Sequence, residues 1–289
     1  MRIRILLAVI ASGFSLALAA SPASAQASRT WVSGVGDDMF PCSRTAPCKT
    51  FAGAIGKTAP GGEINCLDPG AYGAVTIGKA LSIVCQYTEG GVVATVGSTG
   101  IIVNAGATDA VYLSGIDLHG GTTGLNGVRY IAGGSLTIEN SRIRGFNAVN
   151  GQGVLFAPTT GTPRLTIIDT TIASNGNAAS GGGVLIAPSG AGIATATLRN
   201  VNVVNNANAG VIVNGSATVM IMNSLVSNNV NFGIRTSTGS PTVRVGATTI
   251  TGNGTGVSDG AGTIESYGTN QLNGNTGDGA FFGAFIPPK

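Results

Sequence analysis

The sequence predicts an all-β solenoid, a parallel β-helix of three short strands per coil wound through about eight or nine coils, and three observations carry that expectation. A glycine followed by a β-branched residue returns at Gly100-Ile101, Gly127-Val128, Gly153-Val154, Gly183-Val184, Gly210-Val211, Gly233-Ile234 and Gly256-Val257, at intervals of 27, 26, 30, 27, 23 and 23 residues. Such spacing marks units that bury their faces only against their neighbours. Composition agrees: 47 glycines, 9% charged and 5% aromatic residues accompany runs rich in Val, Ile, Thr, Asn and Ser, which suit short strands and tight turns rather than helices. Finally, one strand pattern recurs, as Leu136-Thr-Ile138-Glu-Asn140, Leu165-Thr-Ile167-Ile-Asp169, Ala196-Thr-Leu198-Arg-Asn200 and Val219-Met-Ile221-Met-Asn223. Its alternation sends one set of side chains inward and the other to the surface.

At the N-terminus, Arg2 and Arg4 precede an apolar run from Ile5 to Ala20, and Ala23-Ser24-Ala25 fits the small-residue cleavage rule. Residues 1–25 therefore read as a secretory signal, and the mature chain as beginning near Gln26, exported to the periplasm or the extracellular space. No later stretch holds enough consecutive apolar residues to cross a bilayer. Residues 26–61 are expected to form an N-terminal cap, 62–276 the β-helix and 277–289 a C-terminal cap or tail.

Four cysteines in an exported chain favour disulfides over metal ligation. Cys42 and Cys48 enclose a short loop, whereas Cys66 and Cys85 sit in strand-like runs at a spacing of 19 residues that stacks them on adjacent coils. Those two pairs are favoured over the other two connectivities that four cysteines allow. Within the cap, Phe51 and Ile55 lie four apart on a short amphipathic helix that ends near Pro60-Gly61-Gly62. At the far end, Phe281, Phe282, Phe285 and Ile286 are read as a plug, because open ends of a repeat array need covering.

Two polar columns punctuate the coils. One is Asn140, Asp169, Asn200 and Asn223, after which the alternation breaks and a corner must lie. The other trails an apolar residue by three positions, at Asn175, Asn206, Asn229, Asn253 and Asn275. Asparagine tolerates left-handed backbone angles and its amide both donates and accepts, so both columns read as structural ladders rather than a ligand row.

The stretch Phe51-Ala-Gly-Ala-Ile55, then Pro60-Gly-Gly-Glu-Ile64-Asn-Cys-Leu-Asp-Pro69-Gly-Ala-Tyr72-Gly-Ala-Val75-Thr-Ile77 and Leu81-Ser-Ile83, resembles the opening of right-handed parallel β-helix proteins of the pectin-lyase-like superfamily. There a capping helix leads into a first strand, a Pro-Gly-x-Tyr turn and a second strand. The resemblance implies the fold and little about activity, since this architecture hosts lyases, hydrolases, esterases, epimerases and adhesins.

Chemistry is sparse in this sequence. Gly256-Val257-Ser258-Asp259-Gly260 fits a nucleophile elbow, but it coincides with a repeat start, and His119, the one histidine, belongs to a distant coil and reads as a turn residue. An acidic-glycan lyase or hydrolase would need carboxyl groups and a basic residue converging within one or two coils. The outward candidates are Asp117, Glu139, Arg142 and Arg199, with Asp117 and Arg142 sharing a column as a surface ion pair. Calcium is the one cofactor to weigh, at Asn273-Gly-Asn275-Thr-Gly-Asp278. That segment lacks the charge density of a calcium loop, so neither cofactor nor metal is expected.

A net charge of +3 with no basic run argues against nucleic acid. An outward column reads Ile102, Arg129, Leu155, Leu185, Ile212, Arg235 and Ser258. A contiguous aliphatic strip must be covered by a loop or the tail, or else bind a partner. The leading expectation is a non-catalytic surface protein with a polysaccharide or cell-envelope partner, and the alternative is a carbohydrate-active enzyme.

Overall fold

The computed structural model describes residues 26–86, 88–283 and 285–287, so the signal expected over residues 1–25 lies outside the described residues. The chain winds through about eight coils and lays down three parallel sheets of ten, nine and eight strands. A representative coil runs Ser135–Glu139 on the ten-stranded sheet, Arg142–Arg144 on the nine-stranded sheet and Gln152–Phe156 on the eight-stranded sheet, here called the first, second and third faces. Every strand pairs with its counterpart one coil away. Leu136 lies beside Leu165, Ile143 beside Ile172, and Val154 beside Val184. These aliphatics are buried in one continuous core. Each fully buried Val, Leu or Ile contributes about 1.5–3 kcal/mol relative to exposure, so the stacked columns are the driving force for winding.

The Gly-Val repeat has a steric cause. A Cβ placed on Gly210 would lie 2.7 Å from the Gly233 carbonyl oxygen and 2.8 Å from Asn229 Nδ2, and Gly153, Gly183 and Gly233 are equally crowded by the next coil's glycine and by Asn175, Asn206 and Asn253. Only glycine lets the third-face strand approach the asparagine column this closely.

That column is a buried ladder. Asn175 Nδ2 donates to Asn206 Oδ1 at 3.1 Å, Asn206 Nδ2 to Asn229 Oδ1 at 2.9 Å, Asn229 Nδ2 to Asn253 Oδ1 at 2.9 Å, and Asn253 Nδ2 to Asn275 Oδ1 at 2.9 Å. The same oxygens accept backbone N–H groups from the coil before. These asparagines are not themselves left-handed. The residue before each rung takes that role, at Ser174, Asn205, Asn228, Gly252 and Gly274, with φ of 57°, 56°, 55°, 69° and 73°.

The other polar column differs from expectation. Asn140, Asp169, Asn200 and Asn223 are exposed and left-handed, with φ between 48° and 55°, and one side-chain bond, from Asn200 to Asp169, joins them. Their work is to turn the backbone at the first corner, where short polar side chains tolerate positive φ. The buried bonding at that corner comes from the following residue. Ile116 N donates to Ser141 Oγ, Ser141 N to Thr170 Oγ1, and, past the interruption at Val201, Ser224 N to Thr248 Oγ1.

Both ends of the column are folded over. One helical turn, Phe51–Ile55, is capped by Thr50 Oγ1 and buries Phe51 against Tyr72, with ring centroids 5.2 Å apart. Cys42 pairs with Cys48 and Cys66 with Cys85. At the other end Phe282 bridges antiparallel to Ile264, Ile286 N donates to Ser266, and Phe281 packs on the core. Phe282 and Phe285 remain 53% and 64% exposed, while the backbone of the tail runs from the edge of the last third-face strand at Gly277 to that of the last first-face strand at Phe282.

Candidate functional site

Corner length makes a concavity among the described residues. The first two coils connect first face to second through Leu67–Pro69 and through a corner that includes Cys85, Gln86, Thr88 and Glu89, whereas the next corner is Gly115 alone and the one after it is Asn140-Ser141. The broad corners stand proud of the tight ones. The step between them is an open cleft of about 1100 Å³ lined by Leu67, Asp68, Gln86, Glu89, Gly115 and Asn140. It adjoins a smaller hollow of about 370 Å³ on the second face, lined by Glu89, Val93, Asp117, His119 and Arg144, with Pro69 and Glu89 shared between the two.

Alternation along Ile116–His119 aims Asp117 and His119 outward, while Ile116 and Leu118 enter the core. One coil on, Arg142–Arg144 places Ile143 inward and both arginines outward. Arg142 is in register with Asp117, as the sequence suggests, yet it makes no ion pair. Arg144, in register with His119, reaches diagonally to put Nη2 2.9 Å from Asp117 Oδ2. Asp117 Oδ1 and Arg144 Nε are buried and unpartnered among the described residues. A buried polar atom without a partner costs about 1–3 kcal/mol, so the floor of the hollow is incompletely satisfied.

Asp68 holds the cleft wall. Its carboxylate accepts from Ser33 Oγ and Gly34 N, each at 2.6 Å, and from Tyr72 Oη at 3.1 Å. Burial pushes its pKa up, but these bonds and the charge of Lys49 outweigh burial and hold it below the usual 3.8. Burial and the adjoining carboxylate of Asp68 raise the Tyr72 phenol in turn. A carboxyl depressed in the native state stabilises the fold above its unfolded pKa and loses that contribution as pH falls through the native value. The melting temperature is therefore expected to be level above about pH 5 and to decline below about pH 4, and Asp68→Asn to flatten that decline. Thermal melts by circular dichroism across that range test it, and an unchanged acid slope in the variant would show that the wall is held otherwise.

The four carboxylate and arginine candidates do not converge. Asp117 and Arg142 lie on the second face, but Glu139 and Arg199 lie on the first, where Ile168 separates them. Glu139 accepts a hydrogen bond from Tyr112 Oη, and burial together with that bond raises the Tyr112 pKa. His119 is a strand residue in the cleft rather than a turn residue, and Ser258 sits on the third face near the opposite end, in the strand Thr255–Asp259. In the Asn273–Asp278 segment, Asp278 Oδ1 accepts from both nitrogens of Asn275 and so terminates the ladder. Among the described residues no three His, Cys, Asp or Glu side chains group as metal ligands.

On the third face, Ile102, Arg129, Leu155, Leu185, Ile212, Arg235 and Ser258 do form one register column. The aliphatic members are partly buried against each other, and Arg235 stacks on the Phe232 ring at 4.4 Å. The tail pairs with the edges of the last third-face and first-face strands, at Thr255–Gly277 and Ile264–Phe282.

Comparison with known proteins decides the family. Residues 126–286 match the model described as right handed beta helix region. The chain belongs to this right-handed β-helix family. In fold this β-helix protein is similar to the structure of pectate lyase Pel9A, with a TM-score of 0.65 at 16% identity over 86% of this chain and 71% of that one. A rhamnogalacturonan lyase aligns over 89% of each chain at 10% identity, with a TM-score of 0.34. Searching the curated proteins finds no match. The right-handed parallel β-helix fold is thus shown, and the two disulfides suit an oxidising, exported environment. No helix among the described residues is long and apolar enough to cross a membrane.

Proposed function

We propose that this β-helix protein is exported and binds carbohydrate, without turning it over, in the stepped cleft of its second face. The observation that carries the reading is the pair of unpartnered buried atoms, Asp117 Oδ1 and Arg144 Nε, beneath an open hollow. A carboxylate oxygen and a guanidinium N–H side by side match the donor and acceptor of a sugar hydroxyl, and the guanidinium suits a uronate carboxylate as well. Binding is favoured over turnover because Asp117 Oδ2 is already held by Arg144 at 2.9 Å, while Glu139 and Arg199 lie on another face. A second reading, a lyase or hydrolase on an acidic glycan, draws on His119, which supplies an imidazole in the same hollow.

The test is retention of the purified protein on uronate and neutral polysaccharides, run in parallel with detection of released oligosaccharide. Retention without product is expected, weakened about tenfold or more by Arg144→Ala, since one lost charge-assisted bond amounts to about 1.5–3 kcal/mol. Product that disappears in His119→Ala would install the second reading. Absence of retention on every polymer would remove the first.

A further inference from the structure

We propose that the third face of this β-helix rests on an anionic lipid surface. Between the two caps, the exposed large aliphatics among the described residues are Val93, Val96, Val149, Ile193 and Val230. Val93 belongs to the second face, and the other four stand on the corners that border the third. Val96, Val149 and Val230, which are 82%, 71% and 60% exposed, share the corner between second and third faces, while Ile193, 50% exposed, lies on the corner between third and first. The three valines span five coil spacings, or about 24 Å along the axis. Between these rims runs the half-buried column of Ile102, Leu155, Leu185 and Ile212. The corresponding outward column of the second face is mostly polar, with Thr171, Asn202, Leu225 and Thr249. An apolar floor with apolar rims on the same side of the molecule is characteristic of a surface that meets a partner.

Charge selects that partner. From Gly120 to Pro241 the carboxylates are Glu139 on the first face and Asp169 at the first corner, so over these coils the third face and its rims carry none. They carry Arg129 and Arg235, which share the outward column four coils apart. Neither has an ion-pair partner among the described residues, where the pairs are Arg29–Glu63, Arg144–Asp117 and Arg244–Glu265. Arg235 lies over the Phe232 ring, and its Nε is buried without a partner. Carboxylates come in only where the face ends. Asp109 is turned onto Gly106 N within its own corner, and Asp259 lies opposite Thr236 in the last strand. A second copy of this face would bring the same two guanidinium groups and no carboxylate between them to pair with. A dissolved polyanion would pair with the arginines but leave the valine rims in water. A bilayer interface supplies both needs, phosphate for the guanidinium groups and hydrocarbon just beneath for the valines.

Sedimentation of the purified protein with vesicles of phosphatidylglycerol or of phosphatidylcholine reads the association directly. The protein should pellet with phosphatidylglycerol, far less with phosphatidylcholine, and progressively less as salt rises. Arg129→Glu and Val149→Asp alter exposed side chains, and an unchanged melting curve checks their folding. Each should lower partitioning into phosphatidylglycerol by at least about tenfold. Arg164→Glu makes the same charge change on an exposed first-face residue and should stay within about twofold of wild type. Failure to pellet with phosphatidylglycerol, or an equal loss in Arg164→Glu, would overturn the proposal. So would a loss in Met39→Ser, which would move the contact to the N-terminal end. A concentration-dependent dimer abolished by Val149→Asp would give the face to a second copy instead.

Discussion

Gly210→Ala is expected to destabilise the protein by about 3–5 kcal/mol, a larger effect than one methyl group normally has, because the clash is with groups that cannot yield independently. One neighbour, the Gly233 carbonyl at 2.7 Å, belongs to the backbone of the next coil; the other, Asn229 Nδ2 at 2.8 Å, is fixed by bonds to Asn253 Oδ1 and to the Val203 carbonyl. Relieving the contact means separating two coils or rotating a ladder amide away from both partners. Gly78 provides the control, since a Cβ there meets only the Asn104 carbonyl, at 3.8 Å. Gly78→Ala should change stability by no more than about 0.5 kcal/mol. Urea unfolding followed by circular dichroism separates the two, and equal midpoints for both variants would refute the steric account of the repeat. Contacts in a solenoid run chiefly between neighbouring coils, so loosening one interface also threatens to split the cooperative transition, which a broadened curve would reveal.

The same physics explains which features the sequence made legible. A coil must return its valine or isoleucine to the same core column and its glycine to the same tight contact, so a fixed interval survives in the sequence however much the loops vary. Strand order, inward columns and ladder rungs all follow from that interval. The cleft does not, because it arises from a difference between corners, the broad ones at Leu67–Pro69 and at Cys85, Gln86, Thr88 and Glu89 against the tight ones after them. Nor could register alone pick Arg144 over Arg142 as the partner of Asp117. A guanidinium is long enough to bond to the diagonal neighbour as readily as to the one directly opposite, so side-chain reach decides. The hydroxyl stack at Ser141, Thr170, Ser224 and Thr248 did have a signal, a Ser or Thr right after the left-handed residue of nearly every coil. The exposed phenylalanines mislead for a different reason: aromatic clusters at the end of an array usually plug it, and here the backbone of the tail takes over that task by pairing with the last strand.

Asn206→Ala tests whether the asparagine ladder stabilises the fold or merely occupies a corner. Asn206 accepts from Asn175 N at 3.0 Å and Asn175 Nδ2 at 3.1 Å, and it donates to Asn229 Oδ1 at 2.9 Å. Truncation therefore leaves the buried Asn175 backbone N–H without its acceptor and strips one of the two acceptors from the Asn175 amide, which keeps the Ile143 carbonyl. Each orphaned group costs about 1–3 kcal/mol, so the expected loss is about 3–5 kcal/mol, most of it the penalty of unpaired groups rather than of missing volume. Asn200→Gly isolates the other column. Asn200 is exposed, its φ is 55°, and its one side-chain partner is Asp169, so glycine meets the backbone requirement and the change should stay within about 0.5–1 kcal/mol. Asn200→Val, which shares the backbone problem without glycine's freedom, should cost about 1–2 kcal/mol more than glycine. Denaturation midpoints of the three variants then distinguish the two kinds of asparagine. A ladder variant no less stable than Asn200→Gly would mean that the orphaned groups find water through the corner, and that the bonds along the ladder align the coils without holding them together.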